Sequence, residues 1–134
     1  MGFNAERIKE SMSRLGFPPG TALVHGSGAL VLLGLIPEAR DLDVALNEAG
    51  WQHALTLGTP RPASIDRKIE PAPGIELFDG WLGEPLAELF ARAVPVDGLL
   101  AASPQDVLRF KKALGRPKDR EHIRLLEAHT CNNH

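Results

Sequence analysis

Two aspartates stand two residues apart in Asp41-Leu42-Asp43-Val44-Ala45-Leu46. The alternation of polar and apolar residues at the start of this run predicts a half-buried strand. Side chains two apart on a strand share a face. Both carboxylates then point one way, and Leu42 and Val44 point the other, toward a core. Carboxylates this close repel each other, and a divalent cation is the usual compensation. Mg²⁺ suits the pair, because it binds one or two carboxylates, keeps several waters and takes phosphate oxygens as further ligands. An acidic strand facing solvent would display the same two residues.

Thirteen residues separate Ser27 from Asp41. Ahead of them, Ala22-Leu23-Val24 reads as a buried strand that Gly26-Ser27-Gly28 interrupts. The apolar run Ala29 to Leu35 then reads as a buried helix, with Ser27 as its N-cap. A glycine-rich turn opening a helix presents unpaired backbone N–H groups and the positive end of the helix dipole, which suits a phosphate. It is also what a plain tight turn looks like. Together with Asp41 and Asp43 it would place a phosphate cradle beside a metal clamp. His25 borders the turn, where it could touch a phosphate or simply pack beneath it.

A second signal lies near the C-terminus. Ser103-Pro104-Gln105-Asp106 opens a helix that runs to Leu114 and stops at Gly115. Ser103 is its cap, Pro104 takes its first position, and Asp106 is placed to close a capping box. At 100° per residue, Val107, Phe110 and Leu114 form its apolar arc and Lys111 falls inside it. An inward lysine is costly unless it meets an anion. On the last helix, Lys118 to Ala128, Asp119 lands near the inward arc of Ile123 and Leu126. Either the two form a structural ion pair, or Lys111 reaches the phosphates of a ligand and Asp119 orients it.

The remaining elements must position these groups. Asn4 to Leu15 reads as a first helix, stopped by Gly16. Glu48 to Leu57 reads as a short helix that Gly50 weakens. Gly58 to Pro62 is expected as a loop. Ile65 to Ile69 and Ile75 to Phe78 read as strands joined in a hairpin by Pro71-Ala72-Pro73-Gly74. Leu86 to Ala93 is expected as a helix and Val94 to Leu100 as one extended stretch. Thr130 to His134 is expected to fray. The irregular alternation of helices and strands predicts an α/β fold with a mixed sheet flanked by helices.

Bulk properties fit one domain. The chain has 134 residues, 43% of them hydrophobic and 24% charged, and a formal net charge of −2. That length leaves little room for a second domain. The net charge excludes a uniformly basic nucleic-acid binder. The single cysteine, Cys131, rules out an intrachain disulfide and fits a reducing, cytoplasmic setting. No basic cluster flanks Cys131 to activate it. The longest apolar run, Ala29 to Leu33, is far too short to span a bilayer. The five histidines show no metal-binding spacing. Trp51 and Trp81 read as packing residues, with base stacking as the alternative. Arg61, Arg67 and Lys68 form a loose basic group, read as a solvated edge strand or a contact for an acidic substrate such as RNA.

Val24-His25-Gly26-Ser27 followed by Asp41-Leu42-Asp43-Val44 resembles the signature of the nucleotidyltransferase-fold superfamily. The stretch Lys111-Lys112-Ala113-Leu114-Gly115-Arg116-Pro117-Lys118-Asp119 is similar to one in nucleotidyltransferase toxins of the abortive-infection type. The resemblance covers about residues 21 to 126. It departs at His122, where such proteins often carry an aspartate, and in length, since many have an added helical domain. It implies a single nucleotidyltransferase-like domain that uses Mg²⁺ to move a nucleoside monophosphate from an NTP to an acceptor hydroxyl on RNA, protein or a small molecule. A role in defence is implied with it. It also implies a third carboxylate on an adjacent strand: Glu76 in Ile75-Glu76-Leu77-Phe78, with Asp79 as the fallback. Gly26, Ser27, Lys111 and Asp119 would serve the nucleotide; Asp41, Asp43 and Glu76 would hold metal. The alternative implication is a non-catalytic module that binds or regulates a partner.

Overall fold

A computed structural model describes residues 2–132. The first helix, α1 (Ala5–Leu15), is capped by Asn4, whose side chain accepts from the Arg7 N–H. It buries Ile8 and Met12. Strand β1 (Ala22–His25) leads directly into α2 (Gly26–Leu32), and β2 (Leu42–Leu46) follows. Helix α3 (Glu48–Ala54) comes next, then β3 (Arg61–Pro62), β4 (Arg67–Ala72) and β5 (Ile75–Phe78). Helix α4 (Leu86–Ala91), β6 (Val94–Val96), β7 (Leu99–Ala101) and α5 (Pro104–Leu114) complete the body. A 3₁₀ turn (Pro117–Asp119) enters α6 (Arg120–Asn132).

The seven strands form one mixed sheet in the order β3-β4-β5-β2-β1-β7-β6. β1 runs antiparallel to β2, and β2 runs parallel to β5. β1 is also parallel to β7. The α/β class expected from the alternation of elements is the fold observed, in one domain. Leu42 and Val44 are fully buried, as the strand pattern requires. On that face α2 approaches closely: a side chain at Gly28 would sit 3.1 Å from Val24 and 3.5 Å from Leu42.

Several elements differ from their expected form, each for a local reason. The helix α2 is capped by His25 and not by Ser27; the Gly26 N–H donates to His25 Nδ1, and Ser27 falls inside the first turn. Gly50 does not weaken α3 but permits it, because a Cβ there would lie 2.3 Å from the Thr21 carbonyl oxygen. The stretch after α4 is a hairpin, not one extended segment. Asp97 and Gly98, at φ 48° and 83°, make its turn, and Asp-Gly is a strong signal for such a turn. Arg61–Pro62, expected as loop, adds a short edge strand. The Pro71 to Gly74 hairpin forms as expected, although Ile65 lies outside β4 and is exposed. The last helix continues through Asn132, so the fraying expected from Thr130 onward is not seen as far as that residue; Asn133 and His134 lie outside the described residues. No helix among the described residues is long and apolar enough to cross a membrane.

Candidate active site

The sheet gathers the acidic groups by register. β2 lies between β1 and β5, so Asp43 stands opposite His25 on one side and opposite Glu76 on the other. Asp41 sits just before β2, beside the point where the Leu42 N–H bonds to the Gly74 carbonyl. Asp41, Asp43 and Glu76 line a single cleft of about 400 Å³, together with Gly26, Ser27, Lys111 and Asp119. All seven residues singled out from sequence therefore meet in one place. Asp79, the fallback, does not. Its carboxylate accepts from the backbone N–H and the guanidinium of Arg67, outside the cleft.

The carboxylates are electrostatically uncomfortable. Asp43 is pushed up from an ordinary 3.8 to about 6, first by burial, then by repulsion from Glu76 and Asp41. Arg116 and Lys111 pull the other way and do not offset it. An all-oxygen set under such repulsion suits a hard cation such as Mg²⁺. The set is not, however, a preassembled cage. Among the described residues no three acidic, histidine or cysteine side chains converge as metal ligands. Glu76 is moreover bonded to Lys68 Nζ through Oε2. The arrangement fits a cation held by Asp41 and Asp43 and completed by a ligand's phosphates. It does not fit three protein ligands with Glu76 as an equal third.

Cationic side chains line the same cleft. Lys111 is fully buried, and its Nζ donates to Ser27 Oγ and to Asp119 Oδ1, each at 2.9 Å. The ion pair anticipated from the helix arcs is present, and the same lysine still lines the cleft. Burial lowers the Lys111 pKa, while Asp119 works to hold its charge. Burial acts to raise Asp119, but hydrogen bonds from Lys111 and Arg116 win and hold it below the usual carboxylate range. Arg116 reaches Asp119 Oδ2 through Nε at 2.7 Å.

Four further residues line the cleft to which the sequence reading gave no site role: Arg40, Arg116, Lys118 and His122. Arg40 adjoins Asp41, and Arg116 and Lys118 flank Pro117, so their positions were a usable signal. Among the described residues, neither Arg40 nor Lys118 has a carboxylate within ion-pair distance. His122 comes within 3.5 Å of Ser27 Oγ. Its pKa is lowered by burial and by Lys111, which favours the neutral imidazole.

Other candidates resolve as packing. His25 is buried and stacks on Trp81 with ring centroids 4.3 Å apart. Burial pushes its pKa down to about 3, so the ring is neutral. Trp51 is buried, with Arg67 over its ring. The loose basic group is matched by acids: Arg61 pairs with Glu70, Arg67 with Asp79 and Lys68 with Glu76. Asp106 does not close a capping box with its side chain; it binds Arg92 and Arg109 instead. The side chain of Cys131 lies outside the described residues.

The fold and site thus define an α/β protein with a polar cleft lined by both acidic and basic side chains. No protein-family model matches the chain, and no curated protein or solved structure resembles it at a significant level.

Proposed function

We propose that the protein is a Mg²⁺-dependent nucleotidyltransferase. The observation that carries the reading is the gathering within one cleft of Asp41 and Asp43 with Lys111, Arg116, Lys118 and Arg40. That arrangement suits a polyphosphate bridged to carboxylates by a cation. Asp41 and Asp43 would hold Mg²⁺, which when bound neutralises charge on the phosphate oxygens. Lys111, fixed by Asp119 and Ser27, supplies a rigid positive charge for the leaving pyrophosphate. Gly26 and Ser27 line the same end of the cleft. Gly26, at φ 64°, keeps the backbone open close to Asp43.

In this reading an acceptor hydroxyl oxygen forms a bond to the α-phosphorus. The bond from that phosphorus to the bridging oxygen breaks, and pyrophosphate leaves with the electron pair. The hydroxyl proton passes to the Asp43 and Glu76 pair. Glu76 serves this step better than metal binding, since Lys68 occupies one of its oxygens. The test is incubation with each labelled NTP and Mg²⁺, offered total RNA and protein as acceptors. Transfer that disappears in Asp41→Ala supports the reading; no transfer from any NTP refutes it.

A second reading, a nucleotide-binding module without chemistry, draws on the absence of a converged three-ligand metal set among the described residues. NTP binding without transfer in the same experiment would select it.

A further inference from the structure

Of Asp41, Asp43 and Glu76, Glu76 alone has an ion-pair partner among the described residues: the Lys68 ammonium, 2.5 Å away. Lys68 does not line the polar cleft. It lines a second hollow of about 310 Å³, whereas Asp43 and Glu76 line both. Lys68 therefore meets Glu76 from that second hollow. The two side chains are 24% and 26% exposed, so salt screens the pair much less than an ion pair on the open surface.

Strand pairing accounts for this placement. β4 and β5 pair antiparallel, with Lys68 opposite Phe78 and Ile69 opposite Leu77. One step further, that register would set Glu70 directly against Glu76. Like charges directly opposite destabilise a sheet. The register shifts instead, between Ile69 and Ala72. Lys68 Nζ comes within ion-pair distance of both acids, 2.5 Å from Glu76 and 3.6 Å from Glu70. Glu70 has a second cation in Arg61. Among the described residues, Glu76 has only Lys68, so the ammonium is committed to Glu76.

We infer that Lys68 takes the place of a second divalent cation and so keeps the site to one metal ion, a role that rests on reading Asp41 and Asp43 as that ion's ligands. Charge supports it. Asp41, Asp43 and Glu76 carry three negative charges when ionised. One Mg²⁺ supplies two positive charges, and the Lys68 ammonium supplies the third. Lys111 and Arg116, the other bases that act on Asp43, are tied to Asp119. Held through Oε2 by Lys68, Glu76 cannot turn both oxygens to a metal ion. Without the ammonium, Asp43 and Glu76 would stand side by side on parallel strands with their repulsion uncompensated. A second divalent cation is what such a pair recruits.

The probe is Mn²⁺ alone, which shares the oxygen ligands of Mg²⁺, added to the full chain without nucleotide. Bound ions are counted from the loss of the free-ion paramagnetic resonance signal. The parent should bind one Mn²⁺ per chain. Lys68→Met should bind two, and Lys68→Gln, which stays polar, should do the same. Lys68→Arg keeps the charge and should bind one. Glu76→Gln added to Lys68→Met should return the count to one, because the second ion needs that carboxylate. Thermal unfolding checks that each variant is folded. Two ions on the parent overturn the inference, and that result needs no variant to fold. So does a single ion on folded Lys68→Met and Lys68→Gln, or a second ion that survives Glu76→Gln. No bound Mn²⁺ on any chain removes the Asp41–Asp43 ion and the role of Lys68 together. A second ion gained by a protein that transfers no nucleotide keeps the role of Lys68 and sinks the enzyme reading. Nucleotidyl transfer with an unchanged ion count does the reverse.

Discussion

Asp43→Asn should stabilise the protein while abolishing its proposed chemistry. The Asp43 carboxyl is displaced from 3.8 to about 6, by burial first and by its acidic neighbours second. At about 1.4 kcal/mol per pH unit of displacement, ionising it in the fold costs roughly 3 kcal/mol. The sign follows from linkage. The unfolded chain ionises Asp43 near pH 4 and the folded chain only near pH 6. Below pH 4 the group is neutral in both states and contributes nothing. Between pH 4 and 6 the penalty grows, and above pH 6 it is present in full. The asparagine variant escapes it. At pH 8 it should therefore unfold about 10 °C higher, given roughly 4 °C per kcal/mol for a chain of this size. At pH 3.5 the difference should vanish. Urea unfolding at several pH values measures the same gap as free energy. Mg²⁺ should raise the melting temperature of the parent protein and leave the variant unmoved. A variant that is no more stable than the parent at pH 8 would refute the idea that Asp43 is held under repulsion awaiting a cation.

Three further outcomes follow. Lys111→Met leaves Asp119 buried with only Arg116 beside it and should cost about 3–5 kcal/mol. Adding Asp119→Asn should recover part of that loss in a double-mutant cycle, and strict additivity would count against the coupling. Glu76→Gln should lower transfer at least tenfold with the fold intact. Asp79→Asn should leave transfer near normal, because its carboxylate serves Arg67; the opposite ranking would reassign the third carboxylate. Gly50→Ala forces a Cβ to within 2.3 Å of the Thr21 carbonyl and should destabilise by about 2 kcal/mol or more, read as a lower urea midpoint.

Much of the architecture was legible because its causes are short-range. Asn4 and Ser103 cap helices through bonds to residues three positions on. Asp41 to Leu46 shows its strand in the alternation of its own residues. Where such reading failed, a neighbour distant in the chain decided. Gly50 looked like a helix weakness until Thr21 came against it. Ser27 had the chemistry of a cap, yet His25 took that place and left the hydroxyl for Lys111. The Asp97-Gly98 turn is different: its signal was local and was passed over.

The Asp41–Asp43 pair beside Gly26-Ser27, and the inward Lys111, were determined by the sequence itself. Periodicity alone says which way a side chain faces. What each group faces was a tertiary decision. Lys68, and not a metal cage, claims Glu76. Ser27 and Lys111 meet across 84 positions of chain. Arg116, Lys118 and Arg40 come to line one cleft only in the folded chain, where α5 packs on α2 and α6. Charge–charge energies depend on separation and burial in space, and sequence distance reports neither.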